Sequence, residues 1–171
     1  MTHTDRYGSP LGEIILTADE TGLTGLRFAD GRAPGPGAAQ DAVCRETEIT
    51  DQTKAWLDLY FSGREPDFFP PLHMSGSPFS MRVWQILRDI PYGATVAYGQ
   101  IADAIAKERG LKKMSAQAVG NAVGRNPVSI LVPCHRVVGA DGGLTGYGGG
   151  LWRKQALLTL EGAFPIKKDG R

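Results

Sequence analysis

The chain has 171 residues, of which 42% are hydrophobic and 22% are charged, and its net charge at pH 7 is +1. These values are typical of a globular protein of one or two domains, and no apolar stretch approaches the roughly 20 residues that span a bilayer. Residues 1–76 hold six Lys or Arg and twelve Asp or Glu, whereas residues 77–171 hold thirteen and six, which suggests that only the second half faces a polyanion such as a nucleic acid.

The N-terminal half is predicted to begin with a β-hairpin. Residues 1–10 lack the basic and then apolar pattern of a secretory signal, so we expect a cytoplasmic protein. Two short apolar runs, residues 12–17 and 23–28, flank the turn-forming sequence ADETG, as strands of a hairpin do. Residues 30–43 are rich in Gly, Pro and Ala, and we expect them to form a loop.

A helix is predicted over residues 50–62, with Thr50 or Asp51 as its N-terminal cap. Its apolar side chains recur at a spacing of three and four residues, at Trp56, Leu59 and Tyr60. Prolines and glycines are frequent in residues 63–78. We therefore place a domain boundary near residue 76.

The C-terminal half is predicted to contain a helix-turn-helix. Helical periodicity covers residues 80–89 and 98–107, and Ser115 can cap a third helix over residues 115–124. A short basic turn joins the second and third helices, as in many proteins that place a helix on DNA. The third helix is rich in small residues: Ala116, Ala118, Gly120, Ala122 and Gly124. They indicate either close approach of another surface or tight packing on a neighbouring helix, and the pattern alone favours neither.

The last third of the chain combines an apolar stretch with a glycine-rich one. Residues 129–138 are apolar and β-branched, which predicts a buried strand that Pro133 interrupts. Residues 139–150 hold seven glycines, and such a loop either brings its backbone against a flat ligand or is a plain surface loop. Residues 151–160 are predicted to be helical, and residues 165–171 to be a disordered tail.

Cys134 is the candidate nucleophile. A cysteine in an apolar strand is usually a small buried hydrophobe, but Pro133 can re-aim this one, and His135 and Arg136 follow it. Such neighbours favour the thiolate. Successive side chains of an extended chain point to opposite faces, so we expect His135 to act through a bridging water, with Glu161 as the orienting carboxylate. The cysteines and histidines lack the spacing of metal ligands, and no metal or other cofactor is predicted.

A series of short motifs occurs in this half: IPYG at 90–93, YGQIA at 98–102, AVG at 118–120, NP at 126–127, PCHRV at 133–137, LTGYGGG at 144–150, Lys154 and LEG at 160–162. The pattern resembles the O6-alkylguanine-DNA alkyltransferases, also called methylated-DNA–protein-cysteine methyltransferases. The likeness is close over residues 79–162 and loose over residues 1–76. It implies an α/β protein with an N-terminal ribonuclease H-like scaffold domain over residues 1–76 and a C-terminal winged helix-turn-helix domain over residues 77–171.

The resemblance also implies the reaction and the residues that perform it. Cys134 would irreversibly accept the alkyl group from O6-alkylguanine in double-stranded DNA, with His135 and Glu161 as its activating relay. Asn126 would brace the turn beneath the site, and Tyr98 would help to rotate the target nucleotide out of the duplex. The proton for the leaving guanine would come from Tyr98 or a neighbour. The other implied contacts are Val137, Tyr147, Gly148 and Lys154 for the flipped base, and Ser115, Ala116, Gln117, Ala118 and Gly120 for the DNA. A monomer without membrane contact is expected.

One position departs from the family pattern. The family usually has an arginine in the third helix that takes the place of the flipped base, and the matching residue here is Gln117. Glutamine can still intercalate and form hydrogen bonds, but it carries no charge. We therefore expect weaker support for base flipping rather than a loss of activity.

Other functions fit part of the pattern. A winged-helix protein that recognises lesions without transferring the alkyl group would share the DNA-binding residues, but such relatives have tryptophan in place of the cysteine. A winged-helix regulator with an inert cysteine would explain the basic helices but not Lys154 and Glu161. A cysteine hydrolase would need an oxyanion hole and a histidine in direct contact with Cys134, and neither is evident.

Overall fold

The computed structural model of the protein describes residues 1–31 and 43–163. Most of the loop predicted at residues 30–43, and the whole tail predicted at residues 165–171, lie outside the described residues. Contacts divide the chain into two units. The first comprises Met1–Ser75 and Pro127–Leu131, and the second comprises Gly76–Asn126 and Val132–Arg171. No helix of the described residues is long and apolar enough to cross a membrane.

In residues 1–31 and 43–75, the first unit contains a four-stranded sheet. Its strands are β1 (His3–Ser9), β2 (Gly12–Ala18), β3 (Leu23–Phe28) and β4 (Val43–Cys44), in the spatial order β3–β2–β1–β4. The first three are antiparallel neighbours, and β4 extends the edge in parallel with β1. Alternate side chains of β2 are buried, which gives the sheet one covered face. The predicted hairpin is confirmed as β2 and β3, while β1 and β4 were not predicted.

Helix α1 (Glu48–Phe61) packs against this sheet through a buried face that includes Trp56 and Tyr60. The prediction of its cap was wrong. Thr47 is the capping residue: its Oγ1 accepts from the backbone N–H of Thr50 at 3.2 Å, and Thr50 Oγ1 accepts from the backbone N–H of Thr47 at 2.8 Å. This reciprocal pair extends the helix one turn beyond the apolar periodicity from which its start was predicted.

Residues 127–131 run beside β3. Leu26 donates its backbone N–H to Pro127 O at 2.9 Å, and Ser129 donates to Leu26 O at 3.1 Å. Ile130 has a φ of 72°, and Leu131 N donates to Ser129 O at 2.8 Å. This is a γ-turn with a left-handed central residue, a conformation that costs a β-branched side chain free energy. The strand predicted over residues 129–138 is therefore wrong here.

Up to residue 163, the second unit consists of four helices and a short parallel sheet. Its helices are α2 (Pro78–Arg88), α3 (Tyr98–Glu108), α4 (Ala116–Gly124) and α5 (Leu151–Leu160), and its strands are β5 (Val96–Ala97) and β6 (Val137–Val138). All four helices were predicted, with ends that differ by at most about two residues. Ser115 caps α4 as predicted, since its Oγ accepts from Ala118 N at 3.1 Å. Helices α3 and α4 form the helix-turn-helix, and the Trp84 indole donates to Ala122 O at 2.9 Å and ties α2 to α4.

Candidate active site

Cys134 begins a single turn of 3₁₀-helix, Cys134–Arg136, and does not lie in a strand. The turn before it is tight: Pro133 has φ −81° and ψ 67°, and Cys134 N donates to Val132 O at 2.8 Å, as in an inverse γ-turn. Pro133 thus re-aims the cysteine, as the sequence indicated. Cys134 is 8% exposed, so the residue is nearly buried but a small part of its surface stays open to a ligand.

Asn126 holds this turn from below. Its Nδ2 donates to Val132 O at 2.8 Å, and the same carbonyl oxygen accepts from the backbone N–H of Cys134. The bond links the chain on either side of residues 127–131 and fixes the point from which the cysteine projects. This contact is the one that the predicted bracing role of Asn126 requires.

His135 and Glu161 form a buried pair, as the relay hypothesis requires. His135 Nε2 lies 2.6 Å from Glu161 Oε2, and neither side chain is exposed. An ionised carboxylate only accepts hydrogen bonds, so Nε2 carries the proton, and Nδ1 is the nitrogen that can take a second one. Glu161 is the C-terminal cap of α5, which places its carboxylate opposite the 3₁₀ turn.

Arg136 belongs to the same cluster. We expected a cation beside the thiol, but its Nε donates to Glu161 Oε1 at 2.8 Å and its NH2 donates to Glu161 Oε2 at 3.1 Å. Gly93 N also donates to Oε1, at 3.2 Å. A buried charge is stable only when an opposite charge pairs with it. The position of Arg136 within an apolar stretch is therefore the sequence signal that could have predicted a buried acidic partner for it.

These contacts determine where the protons reside. Burial alone would raise the pKa of Glu161, but the hydrogen bonds from His135 and Arg136 and the positive charge of Arg136 outweigh it and hold that pKa well below its usual range. Burial lowers the pKa of His135; the bond to Glu161 raises it, and the charge of Arg136 lowers it further. Near neutral pH His135 is therefore neutral and Glu161 ionised, which is the resting state that a general base needs.

Lys154 is a fully buried cation in the same unit. Its Nζ donates to Thr145 O at 2.6 Å and to Gly146 O at 3.4 Å, so it ties the glycine-rich loop to α5. Burial lowers the pKa of Lys154 to about 8, and an ionised Cys134 would act to raise it. A positive charge on Lys154 and an ionised thiol at Cys134 would therefore favour each other.

Tyr98 lies between α4 and the glycine-rich loop. Its hydroxyl oxygen accepts from Thr145 Oγ1 at 3.2 Å, and Lys154 Nζ lies 5.9 Å from the centre of its ring. A Cβ at Gly120 would lie 3.8 Å from that ring, which is an ordinary van der Waals distance, so Gly120 packs against Tyr98 and an alanine would also fit there. Of the other residues predicted to contact the base, Val137 is buried in β6, Tyr147 is half-buried and Gly148 is exposed.

The predicted DNA-binding residues lie along the first turns of α4. Ser115, Ala116 and Gln117 are exposed, and Ala118 and Gly120 are half-buried. The first residues of α4 are therefore exposed, whereas Gly120 lies against the ring of Tyr98. Within residues 1–31 and 43–163, no group of three or more His, Cys, Asp or Glu side chains could hold a metal ion.

Two family profiles match the chain: the DNA-binding domain of 6-O-methylguanine DNA methyltransferase over residues 78–163, and its ribonuclease-like domain over residues 3–74. A methylated-DNA–protein-cysteine methyltransferase of Mycobacterium tuberculosis is 43% identical over 94% of this chain and 93% of its own length. One from Methanosarcina acetivorans is 40% identical over 92% and 96%.

Solved structures give the same result. The O6-methylguanine methyltransferase of Mycobacterium tuberculosis superposes with a TM-score of 0.81 at 41% identity, over 95% of this chain and 94% of that one. A crystal structure described as the Mycobacterium tuberculosis OGT in complex with DNA superposes with a TM-score of 0.81 at 40% identity, over 94% and 93%. The predicted combination of an α/β ribonuclease-like domain with a helical DNA-binding domain is confirmed.

Proposed function

Because the chain belongs to the 6-O-methylguanine DNA methyltransferase family, we propose that it repairs alkylated DNA by direct reversal, as a methylated-DNA–protein-cysteine S-methyltransferase. It transfers the alkyl group from O6 of guanine to Cys134. The observation that carries the proposal is a cysteine re-aimed by a tight turn and followed by a buried histidine, His135, whose Nε2 is bound by the buried carboxylate of Glu161.

The reaction begins with formation of the thiolate. The thiol proton passes through a water molecule to His135 Nδ1, and the ionised Glu161 stabilises the imidazolium that results. The ammonium of Lys154 stabilises the sulfur anion. The sulfur then attacks the alkyl carbon, the carbon–oxygen bond breaks, and its electron pair goes to the guanine, which takes a proton from Tyr98 or a neighbour. A thioether is not hydrolysed under mild conditions, so each molecule acts once.

The target base must leave the duplex before a buried thiol can reach it, which costs a few kcal/mol of unstacking and unpairing. Tyr98 presses on the target phosphate and favours that rotation. Phosphate contacts need positive charge and little sequence information, which agrees with the basic second half. The flipped base is bound by Val137, Tyr147, Gly148 and Lys154, and the DNA contacts Ser115, Ala116, Gln117, Ala118 and Gly120.

We further propose that residues 77–171 bind DNA and perform the transfer, and that residues 1–76 act as a scaffold. The protein works as a monomer on double-stranded DNA in the cytoplasm, where a free thiol stays reduced. A protein that recognises lesions without transfer would use the same DNA-binding residues. The cluster of Cys134, His135 and Glu161 favours transfer over recognition alone.

Intact mass spectrometry tests this function. After incubation with excess duplex carrying O6-methylguanine, the protein is expected to gain one methylene unit per molecule while an equal amount of duplex is restored to guanine. Binding without a change in mass would support lesion recognition alone. Restoration of more duplex than protein would contradict the single turnover.

Replacing Gln117 by arginine is expected to tighten binding to a duplex that carries O6-methylguanine several-fold. A guanidinium at this exposed position adds one contact to phosphate or to the vacated base site, and it steepens the salt dependence by about one counterion. Fluorescence anisotropy at several salt concentrations measures both quantities, with Cys134→Ser as the background so that no transfer occurs. Gln155→Arg, an exposed glutamine on α5, is the matched control for added charge. Equal gains in the two variants, or no gain in the first, would contradict a special role for position 117.

A further inference from the structure

Arg136 is a buried cation whose contacts converge on Glu161. The exposed fraction is 10% for the Arg136 side chain and 0% for that of Glu161. Nε and NH2 of Arg136 donate to different oxygens of Glu161, so the planar guanidinium and the carboxylate face each other through two hydrogen bonds. The remaining nitrogen, NH1, donates to Ile90 O at 2.7 Å and fixes the guanidinium to the chain just after α2.

Stability alone does not account for this pair. Removing two charges from water costs about as much free energy as their attraction recovers, and well-packed apolar residues of similar volume often stabilise a protein equally well. The neighbouring positions, Val132 and Val137, are apolar and fully buried. A charged side chain kept in such surroundings points to a function for its charge and its geometry.

The carboxylate of Glu161 is held in one orientation. Oε2 accepts from His135 Nε2 at 2.6 Å and from Arg136 NH2, while Oε1 accepts from Arg136 Nε and from Gly93 N. Donors on both oxygens prevent rotation of the carboxylate away from the histidine. We propose that Arg136 is a positioning residue for alkyl transfer: by binding both oxygens of Glu161, it directs the carboxylate onto His135 and keeps the imidazole in the tautomer and orientation that the proton relay needs.

This inference rests on the proposed function, and it also predicts how the charge of Arg136 affects the pKa of His135. The charged groups that face His135 are Glu161, which raises its pKa, and Arg136 and Lys154, which lower it, on a side chain whose burial already lowers it. The ring of Tyr92 covers the guanidinium, with its centre 5.7 Å away. Without the Arg136 charge, Glu161 would hold a proton on His135 up to a higher pH. Only neutral His135 can accept the thiol proton. On acidification, a variant without the Arg136 charge would therefore lose transfer activity at a higher pH than the wild type.

The first test is the pH dependence of single-turnover transfer to a duplex that carries O6-methylguanine. Arg136→Met is expected to shift the acid limb upward by about one pH unit and to lower the plateau about tenfold. Arg136→Lys keeps the charge but cannot bind both oxygens of Glu161. The acid limb of its pH–rate profile should therefore stay at the wild-type pH, while its maximal transfer rate falls. Arg82→Met is the matched control, because Arg82 forms a comparable pair with Glu108 at the surface, and its profile should match the wild type.

A purely structural role predicts a different result. If the rate of Arg136→Met fell by one factor at every pH, or if Arg136→Lys kept the wild-type plateau, the inference would be overturned. Should Arg136→Met fail to fold, the lysine variant still decides the matter.

The second test needs no DNA and so separates this inference from the proposed function. Long-range proton–nitrogen NMR spectra of the imidazole rings should show His135 as a single Nε2-protonated tautomer in the wild type and as a mixture of tautomers in Arg136→Lys. The other two histidines, His3 and His73, belong to the first unit and serve as internal references. A single unchanged tautomer in the variant would overturn the positioning role. A wild type that gains no methylene would overturn the proposed function, and a changed tautomer in the variant would then still show that Arg136 orients His135.

Discussion

Replacing Cys134 by serine is expected to abolish alkyl transfer, with a fall in rate of at least about 10⁴-fold. A serine hydroxyl is a far weaker acid than a thiol, so the neutral His135 cannot generate a useful nucleophile from it. The substitution leaves Glu161, Lys154 and the helix-turn-helix intact. The variant should therefore still bind a duplex with O6-methylguanine while its intact mass stays unchanged.

Cys44→Ser provides the matched control for this experiment. Cys44 is the second free cysteine, and it is exposed in the edge strand β4 of the first unit. This variant should gain one methylene unit at the wild-type rate. Alkylation of Cys44 in the Cys134→Ser protein would show that a thiol reacts without the buried cluster, and the assignment of Cys134 as acceptor would then be wrong.

The helices of the second unit were predictable because their signals are local. A serine cap at Ser115 and apolar residues at helical spacing on α2 and α3 act over one or two turns of chain. The start of α1 was misplaced because Thr47 and Thr50 are both capable caps. Their reciprocal hydrogen bonds, and not the residue type, decide which of them occupies the position.

The segment from residue 129 to 138 shows the limit of composition as a guide. Its apolar, β-branched sequence correctly predicted burial, but burial does not fix the backbone path. Residues 127–129 pair with β3, and directly after them the chain makes a left-handed turn at Ile130, against the preference of that residue. Pro133 then turns the chain again, so that Cys134 begins a helical turn instead of continuing a strand.

The site was predictable in part. Adjacency in sequence argued against a direct contact of His135 with Cys134, and the family resemblance singled out Glu161 among the acids. The role of Arg136 was not predictable, because its partner lies 25 residues away along the chain and only the folded unit brings the two together. A positive charge next to the nucleophile in sequence was therefore interpreted as its activator, whereas in the structure it binds the carboxylate behind the histidine.

Replacing Glu161 by glutamine is expected to lower the transfer rate about 100-fold and the free energy of unfolding at neutral pH by about 3–5 kcal/mol. The shape of the side chain is kept, but the positive charge of Arg136 loses the negative charge beside which it is buried. The amide NH₂ also meets a donor of His135 or Arg136 where a carboxylate oxygen accepted one. During transfer the imidazolium at His135 would have no anion to stabilise it.

The pH dependence of the free energy of unfolding separates the contribution of the Glu161 charge from that of the shape of its side chain. The pKa of Glu161 lies below its ordinary value of 4.5 in the folded protein, so the carboxylate contributes stability that is complete above that value and is lost as the pH falls toward the lowered pKa. Urea unfolding of the wild type and Glu161→Gln should therefore give a difference in free energy that is largest near neutral pH and shrinks below about pH 4.5.

Glu108→Gln is the control for a general effect of removing a glutamate charge. Glu108 pairs with Arg82 in the same unit, but the side chains of this pair are 40% and 38% exposed, so water and salt screen their interaction. Its free energy of unfolding should therefore differ only slightly from that of the wild type at every pH. If the difference between the wild type and Glu161→Gln were the same near pH 7 and near pH 3, Glu161 would not be ionised in the fold, and the relay through His135 would lack the anion on which it depends.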